Sequence, residues 1–147
     1  MVEYRLAERA DIPAIAALRE PEEGDGAPEG RMRGYLAGVY YPAHALQPRV
    51  MWVAVKAGAI VGYAAGHLTR RLNCDGELQW IYVAKPERGA GVGRALLDRV
   101  AEWFRRQEAY RVCVDPGEDA ARAFYRHFGA IALTKHWLVW EDIRTIG

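Results

Sequence analysis

Between Glu77 and Phe104 the chain changes its apolar period, and three glycines mark the change. Leu78 to Val83 is rich in aromatic and β-branched residues, with Pro86 shortly after it as a stop, and reads as a strand. From Arg94 onward Leu96, Val100 and Trp103 or Phe104 share one stripe. Asp98, Arg99, Glu102, Arg105 and Arg106 fall largely off it, as in an amphipathic helix. Gly89, Gly91 and Gly93 lie between the two. A strand that enters a helix through glycines exposes several backbone N–H groups at the positive end of the helix dipole, an arrangement suited to phosphate. A plain connector rarely needs three glycines in five residues, because each costs conformational entropy relative to alanine.

The spacing decides which phosphate loop this is. A P-loop needs Gly-Lys-Ser/Thr, whereas Gly93 is followed by Arg94 and Ala95. A dinucleotide fingerprint needs a glycine where Arg94 stands, and Asp115, at a tolerable distance for a ribose ligand, does not repair that. Arg88-x-x-Gly91-x-Gly93 does fit a pattern. It resembles the Arg/Gln-x-x-Gly-x-Gly/Ala signature of the GNAT superfamily, the acyl-CoA-dependent N-acyltransferases. The likeness extends upstream through Tyr82-Val83 and downstream through Ala95-Leu96-Leu97. A second stretch, Glu118 to Gly129, resembles the family's Asn-x-x-Ala-x-x-Phe/Tyr-Tyr followed by a helix-ending glycine. Ala121, Phe124, Tyr125 and Gly129 match, while Glu118 stands in place of the usual Asn and Ala130 in place of an aromatic.

Along the chain, Val2 to Leu6 alternates as a half-buried strand, and Asp11 with Pro13 opens a helix. Glu20 to Gly30 is acidic, rich in Gly and Pro, and reads as a loop. Met32 to Tyr41 reads as a second short helix ended by Pro42. Val50 to Val55 and Ile60 to Leu68 form a hairpin around Lys56-Ala57-Gly58-Ala59. Tyr110 to Val114 is a strand stopped by Pro116-Gly117, Glu118 to Phe128 is helical, and Ile131 to Thr134 and Trp137 to Trp140 are strands. The order β-α-α-β-β-β-α-β-α-β-β predicts an α/β fold with helices on both faces of a mixed sheet. It is also the order the GNAT resemblance implies, with a mostly antiparallel sheet. At 147 residues one domain is expected.

Twenty Lys+Arg against nineteen Asp+Glu leave no global field for nucleic acid or an anionic membrane. No signal peptide or membrane span is legible. Cys74 and Cys113 are far apart in sequence and lack metal-ligand spacing, so they read as free thiols, which points to a reducing, cytoplasmic setting. His44, His67, His127 and His136 share no metal spacing either and read as structural or surface residues, and no metal is expected.

The resemblance implies acetyl-CoA as the acyl donor, with the pyrophosphate held by the loop Arg88, Gly89, Ala90, Gly91, Val92, Gly93 and Arg94. It implies that the pantetheine amides pair with a strand edge at Ile81, Tyr82 and Val83, opened from Tyr110 to Val114. Glu118, Ala121 and Phe124 complete the cofactor site. A backbone N–H near Val83 is the family-like donor to the thioester oxygen as it becomes anionic. Tyr125 matches the family's proton donor to the departing thiolate. Glu77, eleven residues before Arg88 where several members carry a strand glutamate, is the candidate base, with a solvated carboxylate at a strand start as the plain alternative. By period two it would share a face with Gln79, Ile81 and Val83. Cys113 has no His/Asn partner in sequence and reads as a core residue.

The expected activity is acetyl transfer to a small-molecule or peptide primary amine by direct attack in a ternary complex. The alternative is a non-catalytic acyl-CoA sensor or scaffold, which Glu118 keeps open. Glu20, Glu22, Glu23, Asp25 and Glu29 read first as a solvated loop partly neutralised by Arg31 and Arg33, and alternatively as an acidic lid that would attract a cationic amine. Members of the family often dimerise, which admits a homodimer.

Overall fold

A computed structural model describes residues 1–23, 27–39 and 42–146, with the side chains of 19–23 and 27–28 outside the described set. The elements follow the expected order. They are β1 (Val2–Leu6), α1 (Ile12–Glu23), α2 (Ala27–Ala37), β2 (Ala45–Lys56), β3 (Ala59–Thr69), β4 (Gly76–Val83), α3 (Val92–Arg106), β5 (Val112–Val114), α4 (Asp119–His127), β6 (Ile131–Ala132) and β7 (Leu138–Trp140). The seven strands form one sheet in the order β1-β2-β3-β4-β5-β7-β6. Every neighbouring pair is antiparallel except β4 with β5.

Helices cover both faces. On one, Leu96, Leu97, Val100 and Phe104 of α3 and Tyr125 of α4 pack with Ala64, Leu78 and Val114. On the other, Ile12, Ile15, Met32 and Tyr35 of α1 and α2 pack with Met51, Val53, Tyr63 and Ala65. α3 lies close because the sheet beneath it is cleared by glycines. A Cβ at Gly66 would meet Phe104 Cζ at 2.7 Å, and one at Gly76 would meet Phe104 Cε1 at 2.5 Å. This close seating brings the N-terminus of α3 to the end of β4.

Several boundaries differ from the sequence reading. Glu20 to Gly30 is not a single loop: α1 runs to Glu23 and α2 begins at Ala27, so only 24–26 lie outside the described residues between them. Of the acidic residues there, Asp25 and the side chains of Glu20, Glu22 and Glu23 are outside the described set, while Glu29 pairs with Arg33 one turn on at 2.7 Å. The second helix ends at Ala37 rather than Tyr41. β2 starts at Ala45, accommodating Pro48 at a register shift between Leu46 and Arg49 where ladder hydrogen bonding is interrupted. α3 starts at Val92, two residues before its apolar stripe becomes legible.

Candidate functional site

β4 and β5 pair only at Gly76–Val112, Glu77–Cys113 and Leu78–Val114. β5 stops there because Pro116 cannot donate to a ladder, and the Gly117 N–H turns back to Asp115 Oδ1 at 3.2 Å. β4 continues to Val83, so Gln79 to Val83 faces a gap where a parallel neighbour would be. The Ala84 N–H donates to Val61 O at 2.8 Å on the β3 side. Alternation along an antiparallel ladder therefore turns the N–H groups of Ile81 and Val83 toward the gap.

A cavity of about 260 Å³ occupies this gap. Ile81, Tyr82 and Val83 form one wall, Arg88, Gly89 and Gly93 its end, and Glu118, Ala121, Phe124 and Tyr125 of the α4 segment the other wall. The structure thus gathers most of the sequence-predicted donor residues around one space, from two segments some thirty residues apart. Gly89 and Gly91 both have left-handed backbone, at φ 85° and 88°. Gly91 is the N-cap of α3, without a side chain to cap the first turn, and no acidic residue stands in that turn. The opening N–H groups of α3 therefore have no competing side-chain acceptor there. These residues suit the phosphate and amide groups of an acyl-CoA.

The loop residues do different work. Val92 is buried in the core. A Cβ on Gly93 would meet Phe124 Cε1 at 3.1 Å, so this glycine admits α4 against α3. Arg88 donates its Nε–H to Val83 O at 2.8 Å and lies over the Tyr82 ring at 5.1 Å, closing the end of β4. Arg94 pairs with Asp98 at 3.0 Å and lies over Phe128 at 5.1 Å, away from the cavity wall. Ala90 is exposed at the turn. Glu118 is the N-cap of α4, and its carbonyl, not its side chain, accepts from the Arg122 N–H at 3.0 Å. Tyr125 is 4 % exposed, its ring edge-on to Trp140 at 5.7 Å. Trp140 is itself fixed by its Nε1–H to Phe128 O at 3.0 Å.

Glu77 departs from the expected geometry. The β3–β4 register steps from Ala65–Trp80 to Gly66–Leu78, so Gln79 is an extra residue, a β-bulge. The bulge reverses the alternation: Leu78, Ile81 and Val83 face α3, while Glu77 shares the opposite face with Trp80 and Tyr82. Nor is Glu77 a solvated carboxylate. It is 5 % exposed, accepts from Arg71 Nε at 2.9 Å, and stands 3.6 Å from His67 Nε2. His67 is fully buried, its Nδ1 2.9 Å from the hydroxyl of Tyr35, whose phenol is pushed up by burial. Arg71 lies over Trp137 at 4.6 Å and donates to Ala43 O at 2.9 Å.

Glu77 lines a second cavity of about 380 Å³, with Arg71, Gln79, Asp115 and Trp137 among its walls. Leu78 and Gly117 line it as well, at the point where β4 and β5 part. Sequence reasoning missed Tyr35, His67, Arg71 and Trp137. The usable signal was Tyr63-x-Ala65-x-His67, a period-two face that puts His67 inward with two core residues.

Cys74 and Cys113, far apart in sequence, are buried neighbours and free thiols. The Cys113 thiol is pushed up by its hydrogen bond with Cys74 and by burial. Among the described residues no His/Cys/Asp/Glu group is arranged to hold a metal ion, and no helix is long and apolar enough to cross a membrane.

Among curated proteins none matches the chain in sequence. Solved structures share its fold. A GNAT-family protein from Desulfovibrio desulfuricans superposes with a TM-score of 0.75 at 20 % identity, over 97 % of this chain and 99 % of that one. The PaiA N-acetyltransferase of Thermoplasma acidophilum, in complex with coenzyme A, gives 0.72 at 8 % identity over 97 % and 99 %. The ribosomal-protein-S18-alanine N-acetyltransferase of Escherichia coli gives 0.69 at 16 % identity over 95 % and 91 %. The sequence profile of the Acetyltransferase (GNAT) family matches residues 13–130, and the chain therefore belongs to the GNAT acetyltransferases.

Proposed function

We propose that this acetyltransferase moves the acetyl group of acetyl-CoA onto a primary amine by direct attack in a ternary complex. The donor arm would occupy the 260 Å³ cavity and the amine the 380 Å³ cavity. The observation that carries the reading is the parting of β4 from β5 after Leu78–Val114, with one cavity against Ile81 to Val83 beyond that point and the other against Glu77 to Gln79. A coenzyme A complex of a protein with the same fold supports acyl-CoA as the donor class.

Bound acetyl-CoA supplies the acetyl thioester. The N–H groups at the start of α3 hold the pyrophosphate, and Arg88 fixes the strand end beside it. The free edge at Ile81 to Val83 takes the pantetheine amides, and an N–H from that edge stabilises charge developing on the thioester oxygen. Glu118, Ala121 and Phe124 set the width of the channel. Tyr125 donates its phenolic proton to the departing thiolate, and Glu77 takes a proton from the attacking amine.

The second reading, a sensor that binds acyl-CoA without turnover, rests on Glu118, whose carboxylate in the donor cavity replaces the family's amide. Thiol release from acetyl-CoA separates the two. The panel is ethanolamine, spermidine, kanamycin and an alanine-terminated peptide, the last because a protein of this fold acts on an alanine of a ribosomal protein. Amine-dependent release supports the enzyme. Coenzyme A binding with no release for any amine supports the sensor.

A further inference from the structure

His67 and Glu77 face each other across β3 and β4. We propose that His67 is a positioning residue that receives, by way of Glu77, the proton released by the acceptor amine. This rests on the reading of Glu77 as the base.

His67 has no exposed surface, and among the described residues its Nε2 makes no hydrogen bond. Glu77 Oε1 stands 3.6 Å from that nitrogen, beyond hydrogen-bond range. On the other side of the ring, Nδ1 is 2.9 Å from the Tyr35 hydroxyl. A neutral ring that donates Nδ1–H to the Tyr35 oxygen leaves the Nε2 lone pair toward the carboxylate, which accounts for the gap. A proton arriving at Glu77 turns that gap into a hydrogen bond.

Where the proton rests is decided by Arg71. If it stayed on Glu77, the guanidinium would lose the charge it is bonded to at 2.9 Å, while stacking on Trp137 and the bond to Ala43 O still held it in place. Removing one partner of a buried ion pair is far costlier than keeping the pair. If the proton moves on to His67, the carboxylate remains ionised between Arg71 and an imidazolium. Tyr35 accepts from the ring without ionising, since burial pushes its phenol up.

The step balances. The amine nitrogen forms its bond to the acetyl carbon, its N–H bond breaks, and the bonding pair stays on nitrogen. The proton passes to the Glu77 carboxylate and then to the Nε2 lone pair. The C–S bond breaks and the thiolate takes the proton of Tyr125. The cycle closes when the His67 proton returns through Glu77 to water in the cavity and water supplies a proton to the Tyr125 phenolate.

Other ionisable groups face this pair from each neighbouring element. Tyr35 comes from α2 and Arg49, 4.6 Å from the Tyr35 ring, from β2. Arg71 follows β3, Cys113 lies beside Glu77 on β5, and Asp115 lines the same cavity. Arg49 and Arg71 oppose a further cation, and Glu77, in contact, favours it.

The test is the pH dependence of kcat with saturating acetyl-CoA and the most active amine of the panel. In the parent, the acid limb marks the pH at which the pair is already protonated, and its value belongs to the pair. His67→Gln is expected to lower kcat on the order of 100-fold, the low end for a lost general-base contribution. It should move the acid limb to lower pH and leave the KM for acetyl-CoA and the coenzyme A-dependent melting shift unchanged. Glu77→Gln runs beside it. Turnover retained in Glu77→Gln overturns the base itself. A dead Glu77→Gln with unchanged kcat and acid limb in His67→Gln overturns the role of His67 alone. Should His67→Gln fail to fold, Tyr35→Phe keeps the ring and removes its acceptor, and an unmoved acid limb there is equally fatal. If no amine turns over, NMR titration of the His67 ring decides: identical titration in the parent and Glu77→Gln overturns the pairing.

Discussion

Gly91→Ala separates the fold of the loop from its use. Gly91 sits at φ 88°, and a left-handed conformation costs an L-residue roughly 1–2 kcal/mol. Among the described residues, its two chain neighbours aside, no atom comes within 4 Å of the position its Cβ would take, so packing adds nothing to that cost. At about 2–4 °C per kcal/mol for a chain near this size, melting should fall by roughly 2–8 °C with the fold retained. That empty space is also where an anion would approach the opening N–H groups of α3. In the parent, coenzyme A at 100 times its Kd should add about 2.7 kcal/mol. This is a rise of the order of 5–10 °C. In Gly91→Ala that rise should disappear. Differential scanning fluorimetry with and without coenzyme A reads both effects. A folded variant with the full ligand-induced rise would remove the loop from the binding site, and an unchanged basal melting temperature would refute the left-handed assignment.

Tyr125→Phe keeps the ring contact with Trp140, so it should fold and bind coenzyme A as the parent does while kcat falls by about 10² to 10⁴. Undiminished steady-state turnover would exclude Tyr125 as the proton donor. Gly76→Ala places a methyl 2.5 Å from the Phe104 ring, and chemical denaturation should show a loss of about 1–3 kcal/mol from overpacking under α3. The Asp11 carboxyl is held below its usual range by its hydrogen bond from Arg5, at 2.7 Å. Because its folded pKa is depressed, its stabilisation is present above the unfolded value of about 3.9 and is lost as pH falls through the folded value. Asp11→Asn should therefore melt below the parent at pH 7, by no more than about 1 kcal/mol for a pair with one exposed partner, and match it in strong acid.

That the residues of the proposed donor site gather around one cavity was legible because they are local in sequence. A strand end, a glycine turn and a helix start are written within Ile81 to Arg94, and Glu118 to Tyr125 forms a second contiguous run. Periodicity also sufficed for the order of the elements, because each strand or helix must bury one face whatever it meets. The limits of α1 and α2 were harder, since Gly and Pro in Glu20 to Gly30 mark a break without saying how short it is.

The surroundings of Glu77, the proposed acceptor side, were decided by tertiary structure. A bulge exists only in the pairing of two strands, so nothing in Leu78-Gln79-Trp80 alone reveals that Gln79 is the extra residue. That single residue turns Glu77 away from Ile81 and Val83 and into contact with His67. His67 and Arg71 reach it from β3 and the turn beyond β3, and Tyr35 of α2 reaches His67, so that spacing could place His67 inward without naming its partners. Local chemistry could be read from the chain itself. Which charges share a buried space was set by strand register and by the parting of β4 from β5, which arise only when distant segments pair.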